Sequence, residues 1–220
     1  MTLPRTEIEP GILAELASFH ELLEGLDEQA WETPSRCAGW TVANVASHVV
    51  GSMADVVGGR LEGLGSPEAT AREVAEREGR TPAELAQELT DVTKQATDLL
   101  AAFDDAAWNA TAPGGYTGTL GEGIEALWYD TWAHNDDIRA ALRQPPALGP
   151  GLRAGLHHVA ENLEVQGWGP ATLALDGVEE IPIGAGGTKV SGDPYVFLLA
   201  ATGRGDPATF GLDDTVNIYR

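Results

Sequence analysis

Thr119–Arg143, TLGEGIEALWYDTWAHNDDIRAALR, is the stretch whose reading decides the fold. Thr119 followed by Glu122 is a capping-box pair, in which the hydroxyl and the carboxylate each take an amide of the first turn that has no partner within the helix. Pro145 and Pro146 stop the segment at its far end. Between them Leu120, Ile124, Leu127, Ile138 and Ala141 recur at three- and four-residue steps, so the spacing predicts a helix with one stripe turned to a core. Asp130 and His134 fall on that stripe. Four residues rise about 6 Å along a helix, which aims the carboxylate and the imidazole side by side at one partner. Such a pair also forms a hydrogen bond on a helix surface or a satisfied buried contact. What favours a metal ion is a third residue upstream.

That residue is His48. The run TVANVASHVVGSMADVV opens at Thr41, a capping residue, and carries Val42, Val45, Val49, Met53 and Val56 as an inward stripe with His48 on its edge. A lone histidine on an apolar face is more often a hydrogen-bonded core residue than a ligand. With Asp130 and His134 supplied from a second inward face, the balance turns toward ligation. Two imidazoles and one carboxylate leave a coordination position open, the arrangement of catalytic rather than structural metal sites.

Around these two helices the pattern completes a four-helix bundle. Ile12, Leu16, Phe19 and Leu23 mark a helix over residues 6–25, and Thr81-Pro82-Ala83-Glu84 opens another through Leu85, Leu89, Val92, Ala96, Leu99 and Leu100 to about Phe103. The segment WETPSRCAGW (31–40) reads as a loop pinned by its two tryptophans, and 104–118 as another. Ser66-Pro67-Glu68 begins a short charged helix through Glu78, expected to be mobile and solvent-facing. Beyond Pro146 the texture changes to a helix over 152–166, then short alternating runs, a helix begun by Asp193-Pro194, and a strand-like TVNIYR end. The fold class expected is α+β, with a helical bundle over 1–147 and a small α+β domain over 148–220.

Composition narrows the partners. With 13 Lys+Arg against 34 Asp+Glu and a net charge of -21, nucleic acid and anionic membrane are poor partners. No apolar run approaches the roughly 20 residues of a membrane span. One cysteine, Cys37, leaves no internal disulfide and no cysteine-rich zinc cluster. The amino terminus lacks a secretory pattern, and the location expected is cytoplasmic.

Three motifs stand together: CAGWTVANVASH (37–48), DTWAHNDDIRAAL (130–142) and SGDPYVFLLAATGR (191–204). On them the chain resembles the mycothiol-dependent maleylpyruvate isomerase family, within the DinB-like superfamily of metal-binding four-helix bundles, over nearly its full length. The resemblance implies a divalent metal, zinc foremost, held by His48, Asp130 and His134. The family's best-known member has Glu where this chain has the shorter Asp130. It further implies mycothiol as a low-molecular-weight thiol cosubstrate, bound at the metal as a thiolate that adds to a small-molecule substrate. Arg204, in the Gly-Arg pair of the tail motif, is implied as a catalytic arginine; Arg80 and Arg139 are weaker candidates, Arg139 being expected to pair with acids on neighbouring turns. Asp137 stands where it can orient His134, and Cys37 reads as packing rather than nucleophile. The rival readings are a mycothiol S-transferase acting on reactive electrophiles and a non-catalytic metal-binding regulatory protein.

Overall fold

Threonine caps decide where three of the long helices begin. The computed structural model describes residues 2–220, which divide into two compact units, Pro4–Ala147 and Leu148–Arg220 with the chain up to Leu3. In the first unit the helices are α1 (Arg5–Glu24), α2 (Glu28–Trp31), α3 (Val42–Val57), α4 (Pro67–Ala75), α5 (Pro82–Ala102), α6 (Asp105–Trp108) and α7 (Leu120–Ala141). Ahead of α7, the Thr119 amide donates to Glu122 Oε2 at 2.6 Å while the Glu122 amide donates to Thr119 Oγ1 at 3.3 Å. Thr81 with Glu84 and Thr41 with Asn44 repeat the reciprocal pattern ahead of α5 and α3. Each box satisfies two first-turn donors at a defined residue.

Four helices make the bundle. α1 packs on α7 and α5, and α3 packs on the same two. Ile8, Ile12, Leu16, Phe19 and Leu23 of α1, Val42, Val45 and Val49 of α3, Leu85, Leu89 and Val92 of α5 and Ile138 of α7 are all buried and make up its apolar core. Each such side chain contributes roughly 1.5–3 kcal/mol by leaving water. Gly11 lets α1 approach α7 closely, since a Cβ there would stand 2.3 Å from the Trp128 ring. α7 is buried over a wider arc than its periodicity suggested: Trp128, Tyr129 and Trp132 are buried, whereas Leu120, Leu127 and Ala141 are half-buried.

The charged segment expected to face solvent does so on one side only. Helix α4 packs on α3, with Ala69, Glu73 and, just beyond its end, Arg77 buried. The cause is Gly51 on α3, where a Cβ would stand 2.6 Å from Glu73 Cβ: the missing side chain admits α4 to close range. The expected 104–118 loop also holds a single helical turn, α6, capped by Asp104, and another, α2, capped by Asp27, ends at Trp31 where the other expected loop begins.

The second unit is α+β. α8 (Gly151–Val165) buries Leu156, Val159 and Leu163 and packs on β2 and α9. Strands β1 (Ala171–Leu175), β2 (Ile181–Ile183) and β3 (Thr188–Gly192) form a sheet of order β2-β1-β3, antiparallel between β1 and β2 and parallel between β1 and β3. Asp193 caps α9 (Pro194–Ala201), whose Phe197 meets Phe210 edge-on at 5.4 Å. The TVNIYR end is no strand; it forms a 3-10 turn at Asp214–Val216, and the Ile218 amide donates to the Ala201 carbonyl at 3.0 Å.

Candidate metal centre

Helices α3 and α7 pack together, and on the contact stand the three residues singled out from sequence. His48 is 7% exposed, brought inward by Val45 and Val49 on either side. From α7, Asp130 and His134 emerge one turn apart. The Asp130 carboxylate lies between the two imidazoles: Oδ2 is 3.6 Å from His48 Nε2, and Oδ1 is 3.6 Å from His134 Nε2. The rings stand nearly perpendicular, 5.0 Å between centroids. These separations are long for hydrogen bonds. They suit ligands converging on one cation: one ligand atom from each of the three residues lies within 4.8 Å of the other two, and donors bound at about 2.0–2.2 Å in a tetrahedral shell lie roughly 3.3–3.6 Å apart.

The far side of each ring is held by a buried carboxylate. His48 Nδ1 meets Glu73 Oε2 at 2.7 Å, and His134 Nδ1 meets Asp137 Oδ2 at 3.1 Å. An ionised carboxylate only accepts, so both Nδ1 atoms carry protons, and in the neutral rings both Nε2 lone pairs face Asp130. Burial works against a charged imidazole at His48, but the carboxylates of Asp130 and Glu73 outweigh it and push its pKa up to about 10. The surroundings thus call for positive charge. Glu73 Oε1 sharpens the point, being buried with no hydrogen-bond partner among the described residues. The Asp130 side chain, 38% exposed, is the member of the trio that faces solvent. The donor set, its spacing and its excess of negative charge fit a divalent cation.

Several neighbours were not legible in the sequence. Arg36, on the loop between α2 and α3, donates from Nη2 to Asp136 Oδ2 and from Nε to Asp137 Oδ1, the latter at 3.0 Å. Cys37 Sγ lies 3.3 Å from Asp137 Oδ2 and 3.8 Å from His134 Nδ1, so its half-buried thiol joins the site's hydrogen bonding. Trp40 packs edge-on to the His48 ring, 5.6 Å between centroids. Glu73 was hidden by its charged segment; the signal available was Ala69, one turn earlier on the same face. Arg139 was expected to pair with neighbouring acids; instead its Nε donates to Asn135 Oδ1 at 2.8 Å, because Arg36 reaches Asp136 and Asp137 from across the fold. Asp137 does orient His134. Arg204 belongs to the second unit, in the turn after α9, where its amide donates to the Leu199 carbonyl at 2.8 Å and its Nη1 to the Thr202 carbonyl at 3.4 Å. Arg80 is exposed and lends its carbonyl to the Trp31 indole at 3.0 Å.

Comparison with known proteins adds to this geometry. The family model described as mycothiol maleylpyruvate isomerase N-terminal domain matches residues 12–139. The crystal structure of the mycothiol-dependent maleylpyruvate isomerase is similar over 96% of both chains, at 21% identity and a TM-score of 0.66. The structure of a histidine-to-alanine mutant of that isomerase is similar to the same extent, with a TM-score of 0.67. At this identity the likeness is one of fold. No curated protein matches the chain by sequence.

Proposed function

The chain belongs to the mycothiol maleylpyruvate isomerase N-terminal domain family, and from that premise we propose that it is a metal-dependent enzyme that isomerises a conjugated dicarboxylate of the maleylpyruvate type with mycothiol as cosubstrate. The observation that carries the reading is the trio itself: two Nε2 atoms, each 3.6 Å from a different oxygen of Asp130, on rings whose Nδ1 atoms are engaged by buried carboxylates. His48, Asp130 and His134 would hold the cation, zinc foremost. When bound, a divalent cation there stabilises a thiol as its thiolate near neutral pH.

The chain's own residues do the rest by position. Glu73 and Asp137 keep the Nδ1 protons in place and so hold both rings to the orientation that faces Asp130. Asp130, the most exposed of the three, leaves the approach for a ligand on its side. Addition of the thiol sulfur to the substrate's double bond leaves a single bond free to rotate; expulsion of the sulfur then restores the double bond with the other geometry and consumes no thiol. Arg204, in a chain poor in cations, is the proposed partner for a substrate carboxylate. Two domains, a metal-binding bundle over 1–147 and a second domain over 148–220, and a cytoplasmic location belong to the same proposal. Among the described residues no helix is long and apolar enough to cross a membrane.

The test measures metal content and turnover of maleylpyruvate with and without mycothiol. Catalytic isomerisation with the thiol unconsumed is expected, and His48→Ala and His134→Ala, each folded, should lose metal and activity together. Stoichiometric consumption of thiol into a conjugate would favour a mycothiol S-transferase. A metal-loaded protein without turnover would leave a binding or regulatory role.

A further inference from the structure

The loop between α2 and α3 touches both candidate ligand rings, and it is closed on itself before it does so. Pro34 and Thr41 form an isolated antiparallel bridge, the Ser35 amide donates to the Trp40 carbonyl at 2.8 Å, and the Trp40 amide donates to the Cys37 carbonyl at 3.0 Å. Ser35 Oγ adds a bond to the Trp40 carbonyl at 2.9 Å and takes the Cys37 amide at 3.1 Å. From this rigid turn Trp40 lies against His48, and Arg36 and Cys37 reach α7.

Arg36 meets two carboxylates that need it. Asp136 and Asp137 are adjacent in sequence and 1% and 0% exposed, so ionising both without a cation would combine like-charge repulsion with loss of water. The guanidinium fork spans them, with Nη2 on Asp136 Oδ2 and Nε on Asp137 Oδ1. Asp136 is tied further through Oδ1, which accepts from the Ala147 amide at 3.1 Å. Asp137 divides its two oxygens: Oδ1 takes Arg36, while Oδ2 takes His134 Nδ1 and the Cys37 thiol. A carboxylate held at both oxygens cannot rotate, and neither can the imidazole that donates to it. Glu73 offers the contrast, since its second oxygen has no partner among the described residues; there the close packing of α4 against Gly51 does the holding.

The geometry points to Arg36 as a positioning residue for the metal centre, acting through Asp137 to hold His134 with Nε2 aimed at Asp130. The inference rests on the reading of His48, Asp130 and His134 as metal ligands. Without the guanidinium on Oδ1, the Asp137 carboxylate is free to turn, and its Oδ2 stops being a fixed acceptor. His134 then loses its preferred ring orientation although no residue of its own helix has been substituted.

The experiment uses the full chain and Co(II) as the probe, with affinity read by chelator competition and ligand geometry by the visible absorption of the bound ion. Wild type, Arg36→Met, Arg36→Lys, Asp137→Asn and the Arg36→Met/Asp137→Asn double variant are compared, each with its melting temperature. Loss of the outer partner of a ligating histidine weakens metal binding about 10- to 100-fold. That loss is expected in Arg36→Met and in Asp137→Asn, with an altered cobalt spectrum, no further loss in the double variant and partial recovery in Arg36→Lys. Wild-type affinity and spectrum in Arg36→Met overturn the inference, as does a loss that multiplies fully with that of Asp137→Asn. A lowered melting temperature with unchanged affinity would make Arg36 merely structural and overturn it too. Should Arg36→Met not fold, Arg36→Lys carries the test alone, since it keeps the charge and loses the fork; wild-type affinity there overturns the inference. Wild-type protein that binds no cobalt sinks the metal reading itself, and the inference with it.

Discussion

Glu15 shows how a single buried side chain can make this bundle sensitive to pH. It lies on the α1 face that meets α7, 7% exposed, and accepts from Asn135 Nδ2 at 3.1 Å. Burial raises its pKa from 4.5 to about 7, more than the Asn135 hydrogen bond and the nearby Arg139 charge lower it. A folded-state pKa above the unfolded one contributes stability that is fully present below the unfolded value and is lost as pH rises through the folded one. The fold should therefore weaken between about pH 4.5 and 7 on this account, by on the order of 3 kcal/mol at most. Glu15→Gln is expected to flatten that part of the denaturation profile and to be the more stable protein at pH 8; an unchanged slope would refute the assignment. Cys37 supports a second expectation at this scale. Its thiol donates to Asp137 and lies beside His134 Nδ1, on the far side of that ring from Nε2, so Cys37→Ser, which retains a donor, should keep most activity while omission of external thiol abolishes it. Activity that disappears in Cys37→Ser and survives thiol removal would make Cys37 the nucleophile.

Helix ends and helix approach separate at the level of elements. The start of α7 rests on a local device, and Thr119→Ala should cost about 1 kcal/mol in chemical denaturation, with the metal site intact; no measurable change would show that tertiary packing alone sets that end. The approach of α4 to α3 rests on the absence of a side chain. Gly51→Ala places a Cβ against Glu73 Cβ, and crowding of this kind costs typically 1–3 kcal/mol. It should also weaken metal binding, because Glu73 is the acceptor for His48 Nδ1. Stability lost with metal affinity unchanged would uncouple α4 from the centre. The positions of the long helices were legible because caps and apolar stripes are properties of neighbours in sequence. The packing of α4 was not, because nothing within that charged segment announces that a glycine on another helix will receive it.

For the molecule as a whole, the division at Ala147 separates the candidate metal trio from Arg204. A protein comprising residues 4–147 is expected to fold and bind metal as the full chain does, without isomerase turnover; full turnover by the bundle alone would leave the second unit no part in the reaction. In the full chain, Arg204→Met should lower turnover of an anionic substrate at least tenfold with metal content unchanged, and equal kinetics would remove it from the proposal. The sequence by itself determined the α+β class, the helix starts at Thr41, Thr81 and Thr119, the inward face of His48 and the one-turn spacing of Asp130 and His134, since each depends on residues close together in the chain. Only the tertiary structure decided that Glu73 backs His48 across 25 residues and that Arg36 reaches Asp137 across 101. Those contacts depend on how closely elements distant in sequence approach one another, which is set by the volume of side chains on the opposing face and leaves no periodic trace in the chain that carries them.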